Sequence, residues 1–538
     1  MTQSDSVPCD AVGRRIACRD EYGTVRFVGK VASTSGIWLG VEWDNPERGK
    51  HNGTHEGVQY FQCSHPTGGS FIRPQKANFG VDFLSAVKDR YGPEGNQGIQ
   101  DCQGNPVHWC KKPIELLGNP GAEIKQRWFE TSLIVSVVDC KVSQVVDEDE
   151  ISSICPNVIE LNLAKNLFVS WDQVAQITRH LRKLEHLDLS QNKLMLISNP
   201  VSLSDAFANL KSLAIQYNGL TWAQVLECAP MWPVLERAHL SSNTISVLER
   251  PVGVLQNLTL LDLSSNPLAG ADQNPLAGAD QLVHIAYLPR LEQLILSNTG
   301  LTSLYFDDVQ PDGKTAMFPK LKSLAIDKNR IAEFSTVNEL NKLQSLEQLK
   351  FSDYAMVELE KNSKTVRQLI IAKLEGLKVL NRTEISADER KGAELDYRKK
   401  YGMDWLKAGG NQNPEKNRPN KEFCAEHPRY QVLIEKYGPP ENEEMEQQKL
   451  FALKDQLLAL TIRCPDKPDQ KLLEKKLPDS MTIQKVKGLL HRLFKVPSAE
   501  IKLTYITSKM DMEIDINNDL QPLSYYSIES GDCILVRW

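Results

Sequence analysis

Catalytic signatures are missing from this chain. It holds no Gly-x-x-x-x-Gly-Lys-[Ser/Thr] phosphate loop, no His-Glu-x-x-His zinc motif and no Gly-x-Ser-x-Gly elbow. Its 11 cysteines, an odd number, are scattered from Cys9 to Cys533, and none falls in a Cys-x-x-Cys pair. Cys102 and Cys110 are eight residues apart, which is not a common zinc-ligand spacing. Free thiols in a reducing compartment are the simpler expectation. The histidines are dispersed; His51 and His55 are four apart, but in a turn-rich region with no supporting cysteine or carboxylate cluster. No enzyme activity, cofactor or metal is expected. No apolar run approaches the roughly 18 residues of a membrane span. The opening MTQSDSVPCD is too polar for a secretory signal, and the closing ILVRW carries no prenylation box. A cytosolic protein without a membrane partner is expected. Excess positive charge is lacking too. A net charge of −6 and a pI near 6.0 argue against a nucleic-acid partner.

What is present is length and an ordinary globular composition. The 538 residues suggest three or four domains, and 41% hydrophobic with 25% charged residues allows each a packed core. The first, over residues 11–80, is dense in glycine. Short apolar stretches at Thr24–Val28 and Ile37–Trp43 are separated by turn signals at Ser35-Gly36, Asn45-Pro46, Asn52-Gly53 and Gly68-Gly69. That pattern predicts a small all-β barrel. Residues 81–130 read as a connector.

The middle, residues 131–400, is repetitive. The pattern apolar-x-x-Leu-x-Leu-x-x-Asn begins at Val158, Leu184, Leu210, Leu235, Leu258, Leu291, Leu321 and Leu346. Its last position is Asn166, Asn192, Asn218, Asn243, Asn266, Thr299, Asn329 and Tyr354 in turn. A degenerate copy, Val135, Val137 and Cys140, precedes them. One long step has a local cause: NPLAGADQ occurs twice in tandem, at 266–273 and 274–281, and reads as a tolerated loop insertion. Each repeat supplies one short strand, the asparagine bonding backbone at the turn that leaves it. One unit cannot bury its apolar face alone, so neighbours stack. This is a leucine-rich repeat α/β solenoid. Residues 366–384 read as its terminal cap, and the charged helix expected over 386–400 as the cover of its open end. The inner face would be lined by His186, Asp188, Gln191, Gln216, Tyr217, His239, Asp262, Asp327, Lys328 and Lys350, and such faces bind proteins.

Residues 401–456 read as a polar linker, on AGGNQNPEKNRPNK at 408–421 and the acidic run after Pro439-Pro440. The last part, 457–538, predicts strands at 458–463, 471–477, 501–506 and 533–537 around a helix at 482–495. That helix has one apolar stripe of Ile483, Val486, Leu489, Leu490 and Leu493. A ββαββ order with a single helix is a β-grasp, α+β in class.

Three segments carry resemblances. Gly23–Gly29, Gly36–Trp43, Gly49-Lys50-His51-Asn52-Gly53, Tyr60–Cys63 and Gly68–Pro74, in that order, closely resemble a CAP-Gly domain. The resemblance implies a groove for acidic C-terminal tails ending in an aromatic residue, such as that of α-tubulin. Phe27, Trp38, Trp43, Phe61 and Phe71 are more aromatics than so small a core needs, and the segment 11–80 carries nine Lys/Arg against six Asp/Glu. Lys50 and Arg73 are candidates to pair with ligand carboxylates. Asn52, with backbone amides of the Gly49–Gly53 loop, is a candidate to hold the terminal carboxylate. His51 stands where the family places asparagine, and Asn52 where it places aspartate. The last segment resembles ubiquitin-like domains but ends in Val536-Arg537-Trp538 without Gly-Gly, so docking rather than conjugation is expected, with ubiquitin-pathway or proteasome components among its partners. The domain order resembles the tubulin-folding cofactor E family. It implies a cytoplasmic, cytoskeleton-associated chaperone that binds α-tubulin and acts with other tubulin-folding cofactors in assembling and dissociating the α/β heterodimer. The alternatives are a CAP-Gly adaptor acting on microtubule polymer and a proteasome shuttle.

Overall fold

The computed structural model describes residues 7–91, 131–268, 277–311, 313–351, 363–441, 457–467, 472–498, 500–507, 510–526, 528 and 530–538. The chain folds as two units. One runs through residue 393 with 425–428 added, and the other comprises 394–424 and 429–538. Among the described residues no helix is long and apolar enough to cross a membrane.

The first unit begins with the glycine-dense barrel. Strands β1 (Arg15–Cys18), β2 (Glu21–Gly29), β3 (Trp38–Trp43) and β6 (Gly69–Ile72) form an antiparallel sheet in that order. A small hairpin, β4 (Thr54–His55) with β5 (Val58–Gln59), stands apart from it. Ile16, Cys18, Val25, Leu39, Val41, Trp43 and Ile72 form the buried core of the sheet, with Val7, Val28, Ala77 and Phe79 packed against it. β7 (Val81–Asp82) then leaves the barrel and opens the helix Phe83–Tyr91. Most of the expected connector, 92–130, lies outside the described residues.

The repeats build one sheet of three-residue strands. They are β8 (Ile134–Ser136), β10 (Glu160–Asn162), β11 (His186–Asp188), β12 (Ser212–Ala214), β13 (Arg237–His239), β14 (Leu260–Asp262), β15 (Gln293–Ile295), β16 (Ser323–Ala325) and β17 (Gln348–Lys350). Each pairs in parallel with the next, so Leu161, Leu187, Leu213, Ala238, Leu261, Leu294, Leu324 and Leu349 stack as one buried row. β9 (Val142–Gln144) stands outside this sheet and pairs in parallel with β7. The far end closes on the helix Ser363–Lys373, β18 (Val379–Leu380) and an antiparallel β19 (Thr383–Glu384). Tyr354 and the join of the duplicated octapeptide fall outside the described residues.

The asparagines explain why the period holds. Asn266 Nδ2 donates to Leu240 O at 2.9 Å and Leu263 O at 3.0 Å, while its Oδ1 accepts from the Asn243 and Ile245 amides, both at 3.1 Å. Asn166, Asn192, Asn243 and Asn329 repeat the scheme. Each side chain thus satisfies carbonyls of two successive turns that would otherwise be orphaned indoors. On the opposite side two helices start alike. Ser170-Trp171-Asp172-Gln173 and Thr221-Trp222-Ala223-Gln224 are both capping boxes, and their tryptophans are 1% and 0% exposed.

The second unit departs from expectation twice. The stretch read as a polar linker holds helices Gly402–Lys407, Lys421–Glu426 and Tyr430–Tyr437, following Ala387–Lys400. Trp405, Phe423, Tyr430 and Leu433 are buried there. Glu394, 1% exposed, accepts from Arg429, Lys436 and Tyr437. Burial opposes its ionisation, yet those donors outweigh it and hold its carboxyl below the usual range. Residues 442–456 lie outside the described residues. The second departure is a strand. β20 (Leu457–Arg463), β21 (Leu473–Pro478), β22 (Lys502–Thr507), β23 (Met510–Ile516) and β24 (Cys533–Arg537) form a five-stranded sheet ordered β21-β20-β24-β22-β23. The expected ββαββ order had only a turn-rich stretch where β23 stands. Ile483, Val486 and Leu490 of the helix Ile483–Phe494 pack into its core, while Leu493 is 39% exposed.

Candidate functional site

Strand β3 sorts its residues by pleat. Leu39, Val41 and Trp43 enter the barrel core, which leaves Trp38, Gly40 and Glu42 on the other face. Register sets Gly40 opposite Phe71 and Glu42 opposite Gly69 of β6. Gly40 has no side chain, and Phe61 lies in that space: a Cβ there would sit 2.4 Å from its ring. Phe71 then becomes the hub of an aromatic cluster. Its ring meets His51 at 5.2 Å, Phe61 at 5.4 Å, Tyr60 at 5.5 Å, His55 at 6.2 Å and Phe27 at 6.3 Å between centroids. Most of these are edge-to-face contacts, the favoured geometry of aromatic pairs.

The loop Gly49–Gly53 is laced to β6. Amides of Lys50 and His51 donate to Gly69 O, and Gly69 N donates to His51 O. Gly53 has φ +76°, and a Cβ there would meet Phe61 O at 2.0 Å, so only glycine fits. Gly49 closes the short turn Pro46–Arg48, its amide donating to Pro46 O. The His51 ring accepts from the Gly53 amide at Nδ1, 3.0 Å away. Burial, then the His55 and Lys50 charges, hold its pKa below the ordinary value. The bond calls for the tautomer with its proton on Nε2. Lys50 projects into solvent beside the cluster.

The structure thus brings Phe27, Lys50, His51, Gly53 and Phe61 together around Phe71. Three other expectations change. Trp43 is a core residue, 3% exposed, with the Arg48 guanidinium 4.6 Å over its ring. An even-numbered step along the pleat would have faced the cluster; its odd step turns inward. The Asn52 side chain is engaged in the fold, its Oδ1 accepting the Cys63 amide at 2.5 Å. Arg73 is likewise engaged: it donates to Ser35 O at 2.7 Å and Ile37 O at 3.3 Å and stacks 3.8 Å over Trp38. Trp38 in turn donates to Thr34 Oγ1. This pair pins the loop beside the cluster. The sequence counts Phe71 without placing it, and names Tyr60 and His55 without assigning either to the groove. Tyr60 accepts the Ala32 amide at its hydroxyl. The alternation of β6, with Ile72 in the core, was the signal that puts Phe71 on the cluster face.

The solenoid offers a second, polar face. His186, Asp188, His239, Asp262 and Lys350 stand on its strands, and Gln191, Tyr217 and Lys328 follow them with positive φ. Tyr217 is 58% exposed. His186 meets Arg237 at 3.1 Å, and burial pushes His186 and His239 down and Asp188 up. Asp327 is tied to Lys350 and Ser297. Among the described residues no group of three or more His, Cys, Asp or Glu is set to hold a metal ion. The arrangement suits binding of other chains through rings, amides and charge.

Comparison with known proteins agrees with these parts. The family model of the CAP-Gly domain matches residues 12–77, and that of the ubiquitin-like domain matches 457–537. A tubulin-specific chaperone E of Xenopus laevis is 54% identical over 534 residues, 99% of either chain. The protein of that name from Homo sapiens is 49% identical over 540 residues, covering 99% of this chain and 100% of its own. Among solved structures, the C-terminal ubiquitin-like domain of mouse tubulin-specific chaperone e shares 62% identity over 15% of this chain and 87% of that one, with a TM-score of 0.15.

Proposed function

The chain belongs to the tubulin-specific chaperone E family, and from that premise we propose that it is a non-enzymatic tubulin-folding chaperone, cytoplasmic and associated with the cytoskeleton. It binds α-tubulin and acts with other tubulin-folding cofactors in assembling and dissociating the α/β heterodimer. The observation that carries this reading is identity near 50% along the whole chain to relatives of that name. Within it, the barrel is the part that grips the acidic tail. The terminal aromatic ring stacks in the Phe27, Tyr60, Phe61 and Phe71 cluster, which is already assembled and so loses little entropy on binding. Lys50 supplies charge to the tail carboxylates. The His51 Nε2–H and backbone amides of its loop are the donors for the terminal carboxylate. The solenoid meets the folded body of tubulin, and the ubiquitin-like domain docks ubiquitin-pathway components, the proteasome among them.

The test is to mix the full chain with native α/β-tubulin dimer, intact or lacking the α-tubulin terminal tyrosine, and follow the species by size-exclusion chromatography. A discrete complex with α-tubulin, or loss of the dimer, is expected, and removing the tyrosine should weaken it. An untouched dimer, with the protein instead pelleting on polymerised microtubules, would favour an adaptor. Lys50→Ala is expected to weaken an acidic tail peptide about threefold to fivefold, the scale of one exposed charge pair. Unchanged affinity in a fluorescence titration would remove Lys50 from the groove.

A further inference from the structure

The cluster face of β3 continues past the barrel. Gly40 carries Phe61, and Glu42, one pleat further along the same face, borders a cleft of about 290 Å³. Two strand residues advance about 7 Å, so groove floor and cleft are neighbours on one surface. The barrel lends the cleft Arg26, Glu42 and Ser64, and the solenoid lends it Val169, Lys193 and Met195.

Its lining holds two cations, Arg26 and Lys193, and two carboxylates, Glu42 and Asp44, and both carboxylates are already paired. Glu42 is met by Arg26 at 2.8 Å and by the Ser64 amide at 2.6 Å. Asp44, on the same rim, is held by the buried Arg15. Lys193 is exposed and has no carboxylate partner among the described residues. Beside it Met195, 60% exposed, offers an apolar stem. An unpaired cation beside an exposed thioether suits an extended acidic peptide. A phosphate group would call for several converging donors.

We propose that this cleft extends the tail groove, taking the acidic residues that precede a bound aromatic terminus, with Lys193 of the solenoid as their cation. The inference rests on the tail reading above. An extended peptide covers about 3.3 Å per residue, so a chain anchored at Phe71 reaches the Glu42 rim some two residues upstream and the solenoid wall a few residues later. Tail recognition is then shared between two domains, and a peptide too short to leave the barrel misses half of it.

The test uses the full chain and two synthetic peptides ending in Glu-Glu-Tyr, one of about four residues and one of about twelve with further glutamates upstream. In fluorescence anisotropy the longer peptide is expected to bind more tightly and with the steeper salt dependence. Lys193→Glu, at an exposed position, should weaken the longer peptide about fivefold and leave the shorter one unchanged, whereas Lys50→Ala weakens both. Unchanged long-peptide affinity in Lys193→Glu, with the short peptide still bound, overturns the extension alone. Failure of the wild-type chain to bind either peptide overturns the tail reading and this extension with it.

Discussion

A methyl group at Gly40 would stand 2.4 Å from the Phe61 ring, and that distance decides what the position tolerates. Phe61 is hemmed in on its other side by the Gly53 turn, so it moves only if the loop moves with it. Gly40→Ala is expected to cost about 1–3 kcal/mol, as overpacking does, and to weaken tail-peptide binding in the same variant. A thermal melt and a titration check both, and a variant that melts with the wild type would show that the ring has room to spare. His51 makes a different prediction. Its neutral ring accepts the Gly53 amide, and burial first, then His55 and Lys50, hold its pKa below 6.5. The unfolded chain takes up this proton at higher pH than the folded one. The contribution to stability is therefore full above about 6.5 and lost as pH falls toward the folded value. His186 and His239, also depressed by burial, push the same way. His51→Asn keeps an acceptor that does not titrate. Its melting temperature should fall less than that of the wild type between about pH 7 and about pH 5.5; equal slopes would clear His51 of any part in acid sensitivity.

Among the described repeats, the rung at Thr299 is incomplete. Thr299 stands where its neighbours have asparagine, and its hydroxyl reaches Leu296 O at 2.9 Å but has no second donor for the preceding turn at Leu263. Thr299→Asn supplies that donor and should raise stability by about 1 kcal/mol. The reverse change, Asn266→Ala, strips donors from Leu240 O and Leu263 O and should cost about 1–3 kcal/mol. Calorimetry of the two variants tests the ladder, and shifts of the same sign would contradict it. The ladder was legible in sequence because a solenoid writes its spacing on every turn: the leucine row and the asparagines recur whatever the loops between them do. Elements that occur once are harder to read. Met510–Ile516 alternates apolar and polar residues at every step, a full strand signature, yet it sits in a stretch that reads as turn-rich. The helices around Trp405 and Tyr430 bury scattered aromatics that no short window shows as a stripe. In the barrel, composition counted the aromatics, but only the pleat separates Trp43 in the core from Phe71 on the cluster. Whether Arg73 and Asn52 are spare or engaged depends on carbonyls and amides some 40 and 11 residues away, which spacing does not reveal.

For the molecule as a whole, the question is whether the barrel and solenoid act as one body or as two on a string. In the first unit the barrel is sewn to the first repeats. β7 pairs in parallel with β9, and the Tyr22 hydroxyl donates to Asp139, which Lys165 also holds at 2.6 Å. Ala17, Tyr22 and Leu167 bury one another at the seam, and the Lys165 ammonium lies 5.7 Å over the Tyr22 ring. On the proposed reading, a groove fixed in this way holds a bound tail at a constant separation from the solenoid face. The second contact then forms at a high effective concentration instead of searching for its site. Tyr22→Ala removes the ring that closes the seam, a change that costs about 3 kcal/mol or more when an aromatic is buried. The expected outcome is an additional early transition in calorimetry, as the barrel uncouples. Affinity for a four-residue tail peptide should be kept, because the cluster around Phe71 is untouched, while affinity for intact tubulin dimer falls at least about tenfold, a partial loss of the roughly 10²–10⁴ that avidity supplies. A Tyr22→Ala chain that melts without the extra transition and binds dimer like the wild type would mean that the seam holds nothing together, and that tail and body are gripped independently.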